Sequence, residues 1–186
     1  MKGMSSKQQG LTLVELMVTL AVAIILVAVG MPLFSGVAAN NRAVTEANTF
    51  LAAFKLARSE AVKRATEVSV CAVADPAADP VVCSSTNSDW TNGLIVFTDG
   101  GTGGAVDGTD ERIRVFANES GGATATASTT FVTFAAQGEA TAVTNTACST
   151  SETCIQLGRD STVGSHTRCV HVMASGQVRL ERDTCS

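Results

Sequence analysis

A chain of 186 residues in which 17 acidic side chains outnumber 13 basic ones carries a formal charge of −4. That balance excludes a general polyanion-binding surface and leaves nucleic acid only a local basic patch. The sequence has no H-E-x-x-H, no G-x-S-x-G and no P-loop, and Ser161 near His166 lacks the supporting groups of a nucleophile and base, so neither an enzyme nor a cofactor is expected.

The first segment, residues 1–10, is a short polar leader holding Lys2 and Lys7. From Leu11 to Val29 the residues are Leu, Val, Ala, Ile, Met and Thr, interrupted only by Glu15. This run is long enough to cross a bilayer as a helix, and residues 11–38 are assigned to a hydrophobic transmembrane stem. The lysines before the span hold that side in the cytoplasm, so everything C-terminal is expected to be exported. An ordinary secretory signal has a shorter apolar core followed by a small-x-small cleavage site, and cleavage there would discard the span. A carboxylate inside a span costs about 2.5–3.5 kcal/mol, so Glu15 is read as functional, with snorkelling to the nearby interface as the plain alternative.

Past Pro32 the pattern becomes one-sided. Ala43, Ala47, Phe50, Leu51, Phe54, Ala57, Ala61, Val62 and Ala65 recur at three- and four-residue steps, while Arg42, Glu46, Lys55, Arg58, Glu60 and Lys63 lie largely off that stripe. No Gly or Pro falls between Val37 and Thr66. Residues 39–66 are therefore expected to be an amphipathic helix continuous with the stem, roughly 80 Å in all at 1.5 Å per residue.

After Thr66 the period changes to two, and residues 67–186 read as an exported β domain. Val68, Val70 and Ala72 alternate with Glu67, Ser69 and Cys71, and Gly93–Phe97 reads as a more fully buried strand. Ile113 and Val115 alternate with Arg112 and Arg114, Val132 and Phe134 with Phe131 and Thr133, and Ile155 and Leu157 with Cys154 and Gln156. The segments Ala117–Thr130 and Ala140–Thr153 have little to bury and are expected to be edge strands or long loops. The fold class is α+β: a long N-terminal helix packed on a mainly antiparallel sheet domain. In the last hairpin, a three-residue loop at Ala174-Ser175-Gly176 pairs Val172 with Val178 and Val170 with Leu180 and puts Gly at a left-handed position. That register sets His171 against Arg179 on the outer surface and Cys169 against Glu181.

Six cysteines, Cys71, Cys83, Cys148, Cys154, Cys169 and Cys185, form an even set in an exported domain, so disulfides are expected, with fifteen pairings open. A Cys169–Cys185 bridge requires the tail after Arg182 to fold back. Zinc wants close C-x-x-C pairs or spaced His ligands, and neither is present. The stretch Asp99–Glu111, with Asp107 and Asp110 among glycines, offers oxygen ligands of the kind calcium takes, but its spacing fits no EF-hand. No metal is expected.

The leader, Gly10, and Leu11-Thr12-Leu13-Val14-Glu15-Leu16 ahead of a long apolar run resemble the class III signal of type IV pilins and pseudopilins. Ala57-Arg58-Ser59-Glu60-Ala61-Val62, then Trp90-Thr91-Asn92-Gly93 leading into Leu94-Ile95-Val96-Phe97-Thr98-Asp99, and a closing strand pair broken by Ser-Gly, resemble the GspH/FimT group of pseudopilins and minor pilins. Trp90 and Gly93 have plain roles too, as core anchor and turn residue. The resemblance implies peptidase cleavage after Gly10, methylation of the new terminus at Leu11, and pairing of Glu15 with the terminal amine of a neighbouring subunit. Leu11 departs from the Phe usual at that position. Loss of Lys2 and Lys7 with the leader leaves 11 basic residues against 17 acidic ones, a balance of −6.

The implied function is a structural subunit of a type II secretion pseudopilus or type IV pilus. Its partners would be other pilins or pseudopilins, the prepilin peptidase and an inner-membrane assembly platform. Members that bind DNA carry Gly-Arg-x-Arg near the C-terminus. Here the matching stretch is Gly176-Gln177-Val178-Arg179, so the first arginine is missing, and Arg179, Arg182, Arg168 and His171 are the candidate DNA contacts. The alternatives are thus a DNA-binding minor pilin and a membrane-anchored receptor domain that never joins a filament.

Overall fold

The computed structural model describes residues 12–84, 89–118, 124–127, 129–141, 152–161, 164–182 and 185, without side chains at 31–35, 152, 159–161 and 164–166. One helix, α1 (Leu13–Arg64), runs unbroken for 52 residues, about 78 Å. Thr12 caps its start by accepting the Glu15 backbone N–H at 3.3 Å. Its end is set by Ala65, in left-handed conformation at φ 52°, with Lys63 and Arg64 in the last turn where cations suit the helix dipole. The helix therefore stops two residues short of the expected end at Thr66.

Eight strands follow: β1 (Val68–Ala72), β2 (Gly93–Thr98), β3 (Arg112–Ala117), β4 (Thr124–Ala127), β5 (Phe131–Phe134), β6 (Glu152–Ser161), β7 (Gly164–Met173) and β8 (Val178–Glu181). They form two four-stranded antiparallel sheets, ordered β3-β2-β1-β5 and β4-β6-β7-β8. The period-two signal carried no information about this division. Both sheets pack against the same stretch of α1. Phe50, Phe54, Ala57 and Ala61 of the helix meet Val68, Val70, Leu94, Val96, Val132 and Phe134 of the first sheet and Ile155, Leu157, Val170 and Val172 of the second. Trp90 closes the junction, its ring 6.1 Å from Phe50 and 6.0 Å from Phe54, with its indole N–H donating to the Thr129 carbonyl at 2.8 Å.

The buried face of α1 differs from the expected stripe in detail. Ala39 and Ala53 join it, Leu51 is only half-buried, and Val62 and Ala65 are exposed. In β1 the alternation is deceptive, because all five residues are buried. Its outward side chain Cys71 joins Val73, Ile95 and Phe97 in a second small core, covered by Val81, Cys83, Val106 and Phe131. In β3 a bulge between the partners of Val96 and Phe97 leaves Ile113 as an extra residue, so Ile113 and Phe116 turn to the main core while Val115 is exposed. The quiet segment after Ala117 does yield an edge strand, β4; residues 142–151 lie outside the described residues. The β7–β8 hairpin has the expected register, Val172 with Val178 and Val170 with Leu180, and Gly176 at φ 75°.

Candidate functional site

The stem is the feature that the protein's own domain leaves without a cover. Leu13–Gly30 has a mean hydropathy of 2.7, and none of it is buried within the chain. Its apolar side chains stand out on every side: Leu13, Leu16, Leu20, Ile24 and Ile25 are all exposed. A helix apolar all round needs lipid or other apolar helices about it. Gly10 and Leu11 lie outside the described residues. Glu15 sits in the first turn, where its backbone N–H is held by Thr12 and the helix dipole favours a carboxylate.

The four candidate DNA contacts do not share one face. Arg168 lies on the helix-facing side of β7 with Val170 and Val172, and its guanidinium donates to the Asn40 side-chain oxygen at 2.7 Å and the Thr167 carbonyl at 2.8 Å. His171 faces the other way and is buried, not on an outer surface as the hairpin register alone implied. Its Nδ1 lies 3.3 Å from Cys154 Sγ and its Nε2 3.5 Å from Glu181. Only Arg179 and Arg182 are exposed. The chain returns after β8 and bonds Cys185 to Cys169, with Cα atoms 5.2 Å apart, on the face that His171 shares.

Cys71 is bonded to Cys83, and Cys154 is also in a disulfide, while Cys148 lies outside the described residues. Cys154, Cys169 and His171 gather their ligand atoms within 4.8 Å of one another, but both sulfurs are committed to disulfides and offer no thiolate to a metal. In the Asp99–Glu111 loop the carboxylates serve backbone amides. Asp99 accepts from Gly104 N–H and from the Ser69 hydroxyl, and Asp110 accepts from Gly100 and Asp107 N–H. Asp107 is held down to about 2 by the Thr109 hydroxyl and by the Thr102 and Thr109 N–H groups. These bonds fold the loop; they do not converge on a cation.

One site residue was missed in the sequence. Glu46, placed off the helix stripe, is 4 % exposed. It follows Ala43 by three residues and precedes Phe50 by four, so the helical spacing itself carried the signal, overridden by residue type. Its Oε1 accepts from Asn118 Nδ2 at 2.6 Å, and burial raises its carboxyl to about 7.

The Trp90–Gly93 motif has a structural role. Asn92 donates to the Ala74 carbonyl at 3.0 Å, and at Gly93 (φ 109°) a Cβ would sit 2.2 Å from the Phe116 carbonyl oxygen. The motif thus seats β2 against the end of β3.

Residues 46–176 match the family described as Type II transport protein GspH, and residues 5–31 match the prokaryotic N-terminal methylation motif. No curated protein matches the chain. Two crystal forms of the Pseudomonas aeruginosa type IV minor pilin FimU, each 20 % identical, share the fold. One covers 78 % of this chain and 96 % of its own with a TM-score of 0.55; the other covers 76 % and 98 % with a TM-score of 0.51. With the family match spanning well over half of its length, the chain belongs to the GspH family of pilin-like proteins.

Proposed function

We propose that this chain is a pseudopilin or minor pilin, a structural subunit of a type II secretion pseudopilus or type IV pilus. A prepilin peptidase cuts between Gly10 and Leu11, and Leu11 is then methylated. The subunit waits in the inner membrane with residues 67–186 in the periplasm, and an assembly platform draws it into the filament. The observation that carries this reading is the continuity of α1: one unbroken helix is uncovered and apolar over Leu13–Gly30 and has one face buried in its own domain from Ala39 onward. Lipid covers the rod before assembly, and neighbouring stems cover it afterwards. Glu15, alone among the apolar residues of that rod, pairs with the terminal amine of an adjacent stem, where an unpaired charge is costly.

Intact-mass measurement of the membrane-extracted protein tests the processing step. The expected terminus is methylated Leu11, and a chain retaining residues 1–10 would favour an anchored receptor that stays out of filaments. Glu15→Ala should insert in the membrane normally and be depleted from sheared filaments; incorporation at the wild-type level would remove the pairing mechanism.

A further inference from the structure

We infer that Cys185, Cys169 and Cys154 form a thiol–disulfide relay, a reactive site whose substrate is a small monothiol. A thiol that opens the Cys169–Cys185 bond moves that bond inward, from Cys185 to Cys154. The inference is independent of the filament reading.

Two disulfides meet on one face of the β6–β7 pair. The register sets Cys154 opposite His171 and Gln156 opposite Cys169, so the two cysteines are diagonal neighbours on the same face. Their sulfurs and a His171 ring nitrogen all lie within 4.8 Å of one another. Yet Cys169 is bonded to Cys185, while Cys154 belongs to a different disulfide. Attack of a thiolate on a neighbouring disulfide sulfur is the elementary step of exchange, so freeing either sulfur here places a nucleophile beside its target. His171 Nδ1 stands 3.3 Å from Cys154 Sγ, and a histidine so placed is one of the groups that hold a thiol as thiolate.

Exposure sets the direction. Cys154 and Cys169 are buried, whereas Cys185 is only half-buried on the returning tail. An incoming thiolate therefore meets Cys185. Its sulfur bonds to Cys185 Sγ, the Cys169–Cys185 bond breaks, and Cys169 leaves as a thiolate with the electron pair. Cys169 Sγ then attacks Cys154 Sγ. A Cys154–Cys169 bond forms, the bond from Cys154 to its original partner breaks, and that partner leaves as a thiolate. It takes up the proton that the incoming thiol released. One thiol is consumed and one is produced, so no net oxidation or reduction occurs.

The result is a tail released from β7 and a new cross-link between β6 and β7. Diagonal neighbours stand about 7–8 Å apart at Cα, at the upper limit of what a disulfide spans, so the new bridge is less relaxed than the one it replaces. The exchange is therefore reversible: the released thiolate re-attacks Cys154, and Cys169 in turn expels the small thiol from Cys185.

The test treats full-length protein in detergent at pH 8 with glutathione and quenches with N-ethylmaleimide. Trypsin and a glutamate-specific protease, cutting after Glu152, Arg159 and Arg168, then place Cys154 and Cys169 in separate peptides for mass spectrometry. Glutathione on Cys185 together with a Cys154–Cys169 linked pair is expected. Cys169 recovered alkylated with Cys154 still in its original bond would overturn the relay, as would Cys169 joined to any other cysteine. Glutathione found first on Cys154 would overturn the entry point and with it the proposal. Cys185→Ser supplies a second arm, because it leaves Cys169 as a thiol from the start. Without any glutathione, its Cys154–Cys169 fraction should exceed that of untreated wild type at least ~10-fold. A fraction no higher than wild type would show that the two sulfurs do not react, and would end the proposal even if glutathione does open the Cys169–Cys185 bond.

Discussion

Arg58 Nε donates to the Gly138 carbonyl oxygen at 3.0 Å, and the same guanidinium donates through Nη2 to the Ser175 carbonyl at 3.0 Å. One side chain of α1 therefore ties the helix to the turn after β5 in the first sheet and to the β7–β8 loop of the second. A planar fork can serve two carbonyls at once, which a lysine ammonium on a single stem does poorly.

Arg58→Ala should destabilise the domain by about 2–3 kcal/mol. A hydrogen bond from a charged donor is worth ~1.5–3 kcal/mol, so the part-buried Gly138 bond carries most of this loss and the solvent-exposed Ser175 bond adds little. Arg58→Lys should recover no more than about half, since it reaches one carbonyl. Urea denaturation of the two variants checks the order, and a lysine variant as stable as wild type would show that the fork is not used.

How much of this was legible in the sequence depends on whether neighbours in space were also encoded by local period. The stem, the helix stripe and the final hairpin were readable, because each is fixed by spacing within one segment. Gly176 illustrates the limit. Its positive φ followed from the three-residue loop, but the second reason for glycine did not: a Cβ there would sit 1.8 Å from the Gly138 carbonyl oxygen, in a turn nearly forty residues away. The burial of Ser69, Cys71 and His171 was hidden for the same reason. Loops and a returning tail cover faces that alternation marks as outer, and nothing in β1 or β7 announces them. Glu46 is the opposite case, with the right spacing and a side chain that argued against it.

Glu46 makes stability depend on pH in a direction opposite to that of a salt-bridged carboxylate. Its folded-state value of about 7 lies above the ordinary 4.5, so the folded chain binds a proton that the unfolded chain has released. Its contribution is complete below about pH 4.5 and is lost as pH rises through 7, at up to ~1.4 kcal/mol per unit in between. The melting temperature should fall between pH 5 and pH 8, and Glu46→Gln should flatten that fall. Among the described residues, the other charged groups near the site are Arg42, one turn earlier on the helix, and Arg114 on β3. An identical slope in the Gln variant would place the pH dependence elsewhere.

The Cys71–Cys83 bond closes a loop with a sequence separation of 12 over the outer face of the first sheet. That loop brings Val81 and Cys83 down onto Ile95 and Phe97, completing a cover that Val106 and Phe131 share. Two effects add. Closing a loop of this size limits the unfolded chain by about 3 kcal/mol, and the covered apolar side chains contribute their own burial. Replacing both cysteines by serine should therefore cost at least ~2–3 kcal/mol and loosen this segment before the rest of the domain. A protease that cuts beside apolar residues should cleave the double variant first near Val81-Val82, while the main core around Trp90 and Phe54 stays resistant. Cleavage at the wild-type rate would mean that the loop is held by its packing alone, with the covalent link adding nothing to its hold on the sheet.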